Sequence, residues 1–403
     1  MQFSDVIGQD AIKRQLVQMV QQNRISHAQL FLGKEGSGGL PLALAFAQYI
    51  NCERVNGISK PPTLDLFGNL ETPAAEDTSN ATVVQDACGV CNACKKAAQL
   101  IHPDIHYSYP IFPRKPGAKS KCTDFVTEWR SFVHSNPYGN SYDWLQHAGA
   151  DNQQGNINVY ECEDIQHKIS LKPFESAYKI LILWMPETLG KEGNKLLKLI
   201  EEPPPNTLFI FVAENEALIL PTIISRTQLV KLPPLSAPEI AEGLVKNNLA
   251  TNTAHQIALL ADGNYREALQ QLAHTDDDWE VLLRDWLNAI VRKNTIAQLK
   301  WIEGISKQGR EKQKQFLKYF IHLLQQAIRL SITEEANNAA SPGLDFAHRL
   351  NKICGLHQQE AMMQELDKAS YYVERNANAK LLFHALTIKF YHIISNNSVI
   401  LVR

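Results

Sequence analysis

A glycine-rich turn near the start of the chain joins an apolar strand pattern to an apolar helix pattern. Gln29-Leu30-Phe31-Leu32 runs into Gly33-Lys34-Glu35-Gly36-Ser37-Gly38-Gly39-Leu40-Pro41. A strand that ends at a helix N-terminus presents unpaired backbone amides to an anion. The phosphate-cradling template G-x-x-x-x-G-K-[ST] adds a lysine for the β/γ oxygens and a hydroxyl for magnesium. Gly33 and Gly38 take the two glycine positions, but Gly39 stands at the lysine position and Leu40 at the hydroxyl position. Lys34 lies at the entrance of the loop and not at the helix start, so it cannot substitute. Pro41 fits only a first helical turn, whose amides have no intrahelical partner. The candidate cofactor-binding residues are Gly33, Gly36, Gly38 and Gly39, an amide cradle without its charge or metal ligand. On this loop alone, a glycine-rich turn with no ligand is an equal reading.

A second landmark of nucleotide hydrolysis fails in the same way. An acidic residue for magnesium belongs after the apolar run Lys179-Ile180-Leu181-Ile182-Leu183, where the sequence continues Trp184-Met185-Pro186. Glu187 is the nearest acid and arrives several residues late. The two losses predict a domain that does not hydrolyse ATP.

The first half alternates short apolar runs with helical patterns, which predicts a mostly parallel α/β sheet. Leu208-Phe209-Ile210-Phe211-Val212 is a third strand candidate, and its continuous apolar character fits burial on both faces. Two stretches break the rhythm. Residues 55–86 read as a loop or excursion, and 112–156 as an inserted, partly ordered segment of Pro, Gly, Asn and aromatic residues. After Pro233-Pro234 the strand signals vanish. Leu282, Leu283, Trp286 and Ile290 have the spacing of a core-facing helical stripe. Phe316, Leu317, Phe320, Leu324 and Ile328 repeat it, as do Leu382, Leu386, Phe390 and Ile393. The C-terminal third therefore reads as a helical packing or assembly domain.

Cysteines are clustered rather than spread. Cys88, Cys91 and Cys94 form C-x-x-C-x-x-C, with Cys52 upstream and Cys122, Cys162 and Cys354 isolated. Four thiolates suit tetrahedral zinc, and this spacing lets neighbouring sulfurs converge on one ion. Cys52, Cys88, Cys91 and Cys94 are thus the candidate metal ligands. Nothing polar and catalytic sits beside them, so a structural zinc is the expectation, with an iron–sulfur cluster as the alternative and unrelated thiols as the plain one. Seven cysteines in 403 residues do not suggest a secreted disulfide scaffold. No run approaches the roughly 20 apolar residues of a membrane span, and the N-terminus lacks a signal-peptide pattern, so the expected setting is cytoplasmic. A formal net charge of −2 argues against gripping nucleic acid through a large positive field.

Taken in order, these pieces resemble the clamp-loader branch of the AAA+ proteins. Phe3-Ser4-Asp5-Val6-Ile7-Gly8-Gln9 is similar to that family's N-terminal signature, and Arg24-Ile25-Ser26-His27-Ala28 to its approach to the phosphate loop. Asn51-Cys52 and Cys88-Gly89-Val90-Cys91-Asn92-Ala93-Cys94 match a zinc module inserted after the loop's helix. Ser170-Leu171-Lys172-Pro173, Leu196-Leu197-Lys198, Glu201-Glu202-Pro203-Pro204 and Ile224-Ser225-Arg226 follow in the family's order. Gly263-Asn264-Tyr265-Arg266-Glu267-Ala268-Leu269 resembles the arginine motif of its lid. The resemblance covers residues 1–54, 87–110 and 157–275; the collar-like remainder agrees only in helical character. The stretches 55–86 and 112–156 depart from the family pattern, and Thr227 replaces a cysteine common after the Ser-Arg pair.

The resemblance implies a RecA-like P-loop AAA+ domain over 1–232 carrying the zinc module (52–94), a small helical lid over 233–275, and a helical collar for oligomerisation over 276–403. It implies that Arg226, with Ser225, acts as a trans arginine finger on a neighbouring subunit's ATP. Without that context Arg226 reads as a surface arginine paired with an acid. Arg266 corresponds to the lid arginine that senses nucleotide in its own subunit. Intact P-loops belong to the ATPase γ/τ subunits of the family, so the missing lysine and acid favour the non-hydrolysing δ′ type. Such a subunit supports ATP-dependent loading of the sliding clamp onto primed DNA, with γ/τ and δ subunits as partners. The DNA-directed DNA polymerase activity belongs to the holoenzyme. The competing expectations are a divergent ATP-hydrolysing γ/τ-type subunit and a zinc-bearing nucleic-acid-binding module.

Overall fold

The runs at 28–33, 179–184 and 207–213 are too apolar for strands with a wet face, and the computed structural model buries them at the centre of one parallel sheet. The structure describes residues 1–57, 86–115, 117, 119–150, 153–273, 279–332, 342–375 and 377–396, so most of the expected excursion at 55–86 lies outside it. Strands β1 (Ala28–Gly33), β2 (Ile105–Ser108), β3 (Lys179–Trp184), β4 (Thr207–Ala213) and β5 (Gln228–Leu232) are ordered β2-β3-β4-β1-β5. This 5-1-4-3-2 order is that of the RecA-like AAA+ fold. Leu30 lies opposite Phe211 on one side and Leu229 on the other, which places the glycine turn at the C-terminal edge of a central strand.

Successive side chains of a strand point to opposite faces, and two cores result. Phe31, Ile180, Ile182, Leu208, Ile210 and Val212 face one core. Helices α1 (Asp10–Gln21), α2 (Gly39–Ile50) and α3 (Asn92–Ala98) contribute to it. Leu30, Leu32, Leu181, Leu183, Phe209 and Phe211 face the other. That core is completed by α6 (Val159–Ser170), α7 (Leu197–Glu201) and α8 (Pro221–Ile224).

The segment 112–156 is more regular than its composition predicts. It holds α4 (Val126–Ser135) and α5 (Ser141–His147), and its aromatic residues form a core with the sheet. Trp129 stacks on Tyr109 with centroids 4.0 Å apart and meets Trp144 edge-on at 5.2 Å. Trp184, at the end of β3, lies 5.4 Å from Trp129 and 6.0 Å from Phe132. Helices α9 (Ala237–Lys246), α10 (Thr251–Leu260) and α11 (Tyr265–Ala273) follow the sheet and build their own small core. Tyr138 of the inserted segment belongs to that core. No helix among the described residues is long and apolar enough to cross a membrane.

The chain divides into two compact units, Met1–Ala273 and His274–Arg403. The second is all helical: α12 (Trp279–Val291), α13 (Thr295–Lys307), α14 (Arg310–Ile332), α15 (Pro342–Ile353), α16 (Leu356–Glu374) and α17 (Ala379–Asn396). The periodic residues Leu283, Trp286, Ile290, Phe316, Phe320, Leu386 and Phe390 form its core. Trp286 stacks on Trp301 at 4.5 Å and donates to Thr387 Oγ1 at 3.0 Å.

The segment 112–156 and the neighbouring α6 each give a stability prediction. Trp129→Ala is expected to lower unfolding stability by about 3–5 kcal/mol, the usual range for a buried large aromatic, as measured by urea denaturation. An unchanged midpoint would show that the aromatic core is not packed in solution. Glu161 is fully buried, accepts from Cys122 N at 2.8 Å through Oε2, and has no partner at Oε1. Burial pushes its carboxyl up from the ordinary range. The folded chain therefore binds this proton more tightly than the unfolded one, and stability falls as pH rises from the unfolded value through the folded one. Glu161→Gln is expected to raise the melting temperature over the parent at pH 8, by a margin that shrinks towards pH 5. A margin independent of pH would contradict the buried charge.

Candidate functional site

The glycine loop leaves β1 at Gly33 and enters α2 at Gly39. A Cβ on Gly33 would lie 2.4 Å from Ser37 Oγ, so the loop folds back closely on its own start. Gly36 and Gly38 have φ of +74° and +90°, a region costly for other residues. Gly38 caps α2, and its carbonyl accepts the first helical bond from Leu42 N at 3.0 Å. Pro41, at the third helical position, lacks only an amide that the helix would leave unpaired. The cradle expected from the sequence is formed, but it encloses little. The cavity over Gly33, Gly36, Gly38 and Gly39 has a volume of about 30 Å³. Ligand pockets are ~300–1,000 Å³, and the enclosed space here is well below that.

The residues that close it are apolar or come from elsewhere in the chain. Trp184 and Val212 border the cavity from the sheet, and Tyr138 and Gly139 from the turn between α4 and α5. A Cβ on Gly39 would meet Val212 Cγ1 at 3.0 Å, and Leu40 is buried, so the two substituted template positions have become packing positions. Glu187 is not among the lining residues. Its Oε1 accepts from the backbone amides of Glu214 at 2.6 Å and Asn215 at 2.9 Å, and burial pushes its carboxyl up. The late acid ties down the end of β4.

Arg266, in the first turn of α11, is buried beside the same loop. Asp143 of α5 takes it bidentately, with Nε to Oδ2 at 2.5 Å and Nη2 to Oδ1 at 2.7 Å. Glu35 of the loop accepts from Nη1 at 2.9 Å. Asn140 and Asn264 donate to the Glu35 carboxylate at 3.1 and 3.2 Å. Sequence reasoning missed Glu35, Tyr138, Asn140 and Asp143. The one signal for this group was local: Asn140 and Asp143 have capping-box spacing, and each side chain accepts from the other's backbone amide.

Ser225 and Arg226 lie between α8 and β5 and do not border the glycine-loop cavity. Arg226 pairs with Glu201 of α7, and its Nη1 donates to Thr222 O at 2.9 Å and Ser225 Oγ at 3.1 Å. Its side chain retains 34% exposure, and that of Glu201 44%.

The four cysteines singled out by spacing converge in space. Their sulfurs all lie within 4.8 Å of one another, and Cys88 Sγ is 3.9 Å from Cys94 Sγ. A Zn–S bond of about 2.3 Å in a tetrahedron requires sulfurs about 3.8 Å apart, so the donor set fits. Backbone amides of Cys88, Cys91 and Cys94 point at the sulfurs of Cys52, Cys88 and Cys91 at 3.3, 3.4 and 3.4 Å. The hydrogen bond from Cys94 pulls the Cys52 thiol down to about 4 against its burial, and the same bond pushes Cys94 up. The cluster can hold a metal ion such as zinc. Gly89, between the first two ligands, has φ +71°, and a Cβ there would touch the side chain of Gln2 at 3.0 Å.

A family model described as DNA polymerase III, delta subunit, matches residues 8–62 and 74–236, more than half of the chain. The δ′ subunit of DNA polymerase III from Bacillus subtilis (strain 168) is 24% identical over 270 residues, which is 67% of this chain and 60% of that protein. The τ subunit from the same organism is 25% identical over 277 residues, 67% of this chain and 37% of that one. The matched region thus spans less than two thirds of the length of these relatives. Among solved structures, a DNA polymerase III γ subunit-related protein of Thermotoga maritima covers 94% of this chain and 98% of its own at 15% identity and a TM-score of 0.38. The extent of the family match shows that this chain belongs to the DNA polymerase III delta subunit family.

Proposed function

We propose that this chain is the δ′-type subunit of a DNA polymerase III clamp loader: it does not hydrolyse ATP itself and presents Arg226 to the ATP of a neighbouring subunit. The observation that carries the reading is the contrast between two sites in one domain. The glycine loop has lost its lysine and acid and closes on about 30 Å³, while the Ser225-Arg226 pair keeps a partly exposed guanidinium on the surface.

The chemistry suits that division. A trans finger needs a planar, permanently charged fork that can grip developing phosphate charge. Glu201 holds Arg226 in a solvent-exposed pair, and such pairs contribute about 0–1 kcal/mol. The arginine can therefore leave Glu201 for a more highly charged phosphate at small loss. Ser225 Oγ accepts from Arg226 Nη1 and steers the fork. Under this reading the γ/τ and δ subunits are the partners, the helical unit beyond residue 273 is the collar that joins them, and clamp and primed DNA are reached through the complex. The cysteine cluster takes a structural zinc, which would cross-link the end of α2 to α3.

Reconstitution with γ/τ and δ partners tests the finger. Arg226→Ala is expected to cut clamp-stimulated ATP turnover by on the order of 10³-fold, the lower end for arginine fingers, while the complex still assembles. Glu201→Ala is expected to leave turnover within about 2-fold, as befits an exposed pair of small energy. Turnover indifferent to Arg226→Ala would remove the assignment. For the metal, purified chain is expected to carry about one zinc ion, lost with Cys94→Ser together with a lowered melting temperature. Metal-free chain that melts like the parent would rule out a structural zinc.

A further inference from the structure

We propose that the inserted segment around Tyr138–Asp143 replaces the nucleotide itself, locking the lid onto the glycine loop so that the lid's position no longer depends on ATP. The proposal rests on the reading above that the loop is not a working nucleotide site, and it specifies what took the nucleotide's place.

Three sets of contacts carry it, all within the first compact unit. The first is steric. Tyr138 borders the cavity at the N-terminus of α2, and a Cβ on Gly38 would be 3.1 Å from its ring. The tyrosine is fixed at both ends: its hydroxyl accepts from Ile7 N at 2.8 Å, and its ring meets lid residue Tyr265 edge-on at 4.8 Å. The second is direct docking of lid on loop. Tyr265 N donates to Gly36 O at 3.3 Å, and a Cβ on Gly36 would lie 1.9 Å from Asn264 Oδ1. Gln9 Nε2 adds a bridge, donating to Ser37 O at 3.1 Å and to Pro233 O, just before the lid, at 2.7 Å.

The third set is electrostatic. Arg266 is 4% exposed at its side chain and is gripped from both sides by carboxylates, Glu35 from the loop and Asp143 from the insertion. An arginine that senses nucleotide must have its fork available to phosphate; here Nε, Nη1 and Nη2 are all engaged by protein. Two carboxylates against one guanidinium leave a net negative group beside the loop, which disfavours an incoming anion. Lys34 borders the same cavity but is exposed to solvent. Removing one partner of a buried ion pair strands the other's charge, which is strongly destabilising. The triad is thus a strong clasp, and each element it joins is needed for it: loop, insertion and lid.

Hydrogen exchange of the full chain, with and without Mg-ATP, tests this. In the parent, lid amides of α11 and loop amides at 36–42 are expected to exchange at the same rate with and without nucleotide. Asp143→Asn and Glu35→Gln, which attack the clasp from opposite sides, are each expected to speed exchange in α11 by about 10-fold or more. Amides of β4, at the centre of the sheet in the same unit, serve as the reference for unfolding of that unit as a whole and are expected not to change. Mant-ATP fluorescence in the parent separates the two levels. Parent that binds mant-ATP and shows ATP-dependent lid protection overturns both the proposal and the reading beneath it. Parent that binds no nucleotide, with lid exchange unmoved by either substitution, overturns the clasp alone.

Discussion

Everything in the first unit hangs on a parallel sheet buried on both faces. Parallel strands need crossover connections, and the helices that make them cover the two sides of the sheet. Once β1 is held between β4 and β5, the glycine turn, the end of β3 and the end of β4 converge at one edge of the sheet. Which side chains stand at that edge then decides what it can do. Gly39, Leu40 and Trp184 stand there at the positions where the template has a lysine, a hydroxyl and an acid, while the charged Lys34 and Glu214 border the cavity from other positions.

The losses and the gains fall on the same residues. Trp184 ends β3 where a magnesium-binding acid would stand, and it is also the anchor on which Trp129 and Phe132 pack. Leu40 stands in place of a hydroxyl and is buried in the core beside the sheet. Gly36 and Gly38 keep their glycines, but the space those glycines open is taken by Asn264 and Tyr138. The residues at this turn pack as an interior does, and the strand-to-helix turn requires the glycine geometry they keep.

Much of this was legible in the sequence, for identifiable reasons. β1, β3 and β4 are continuous apolar runs, and the cysteine cluster announces itself by spacing. β2 was missed because it is four residues long and contains His106 and Tyr107. β5 was missed because it is an edge strand, with Gln228, Leu229 and Lys231 exposed. The segment 112–156 was expected to be only partly ordered because Pro, Gly and Asn recur through it; its order comes from Trp129 and Phe132, which meet Trp144 within the segment and Trp184 far along the chain. The grip on Arg266 was invisible for the same cause. Glu35, Asp143 and Arg266 are more than 100 residues apart pairwise across the lid contacts, and no periodicity links them.

The cysteine cluster has a topological consequence. Cys52 and Cys88 are 36 positions apart, yet the amide of one meets the sulfur of the other at 3.3 Å. The chain thus leaves and returns at one point, and lengthening a closed loop costs only about 0.6 kcal/mol per doubling. The chain between these two cysteines is therefore a place where this domain can gain residues with the sheet and the glycine turn left as they are. A graft there, of an affinity tag or a whole small domain, has its two ends already brought together.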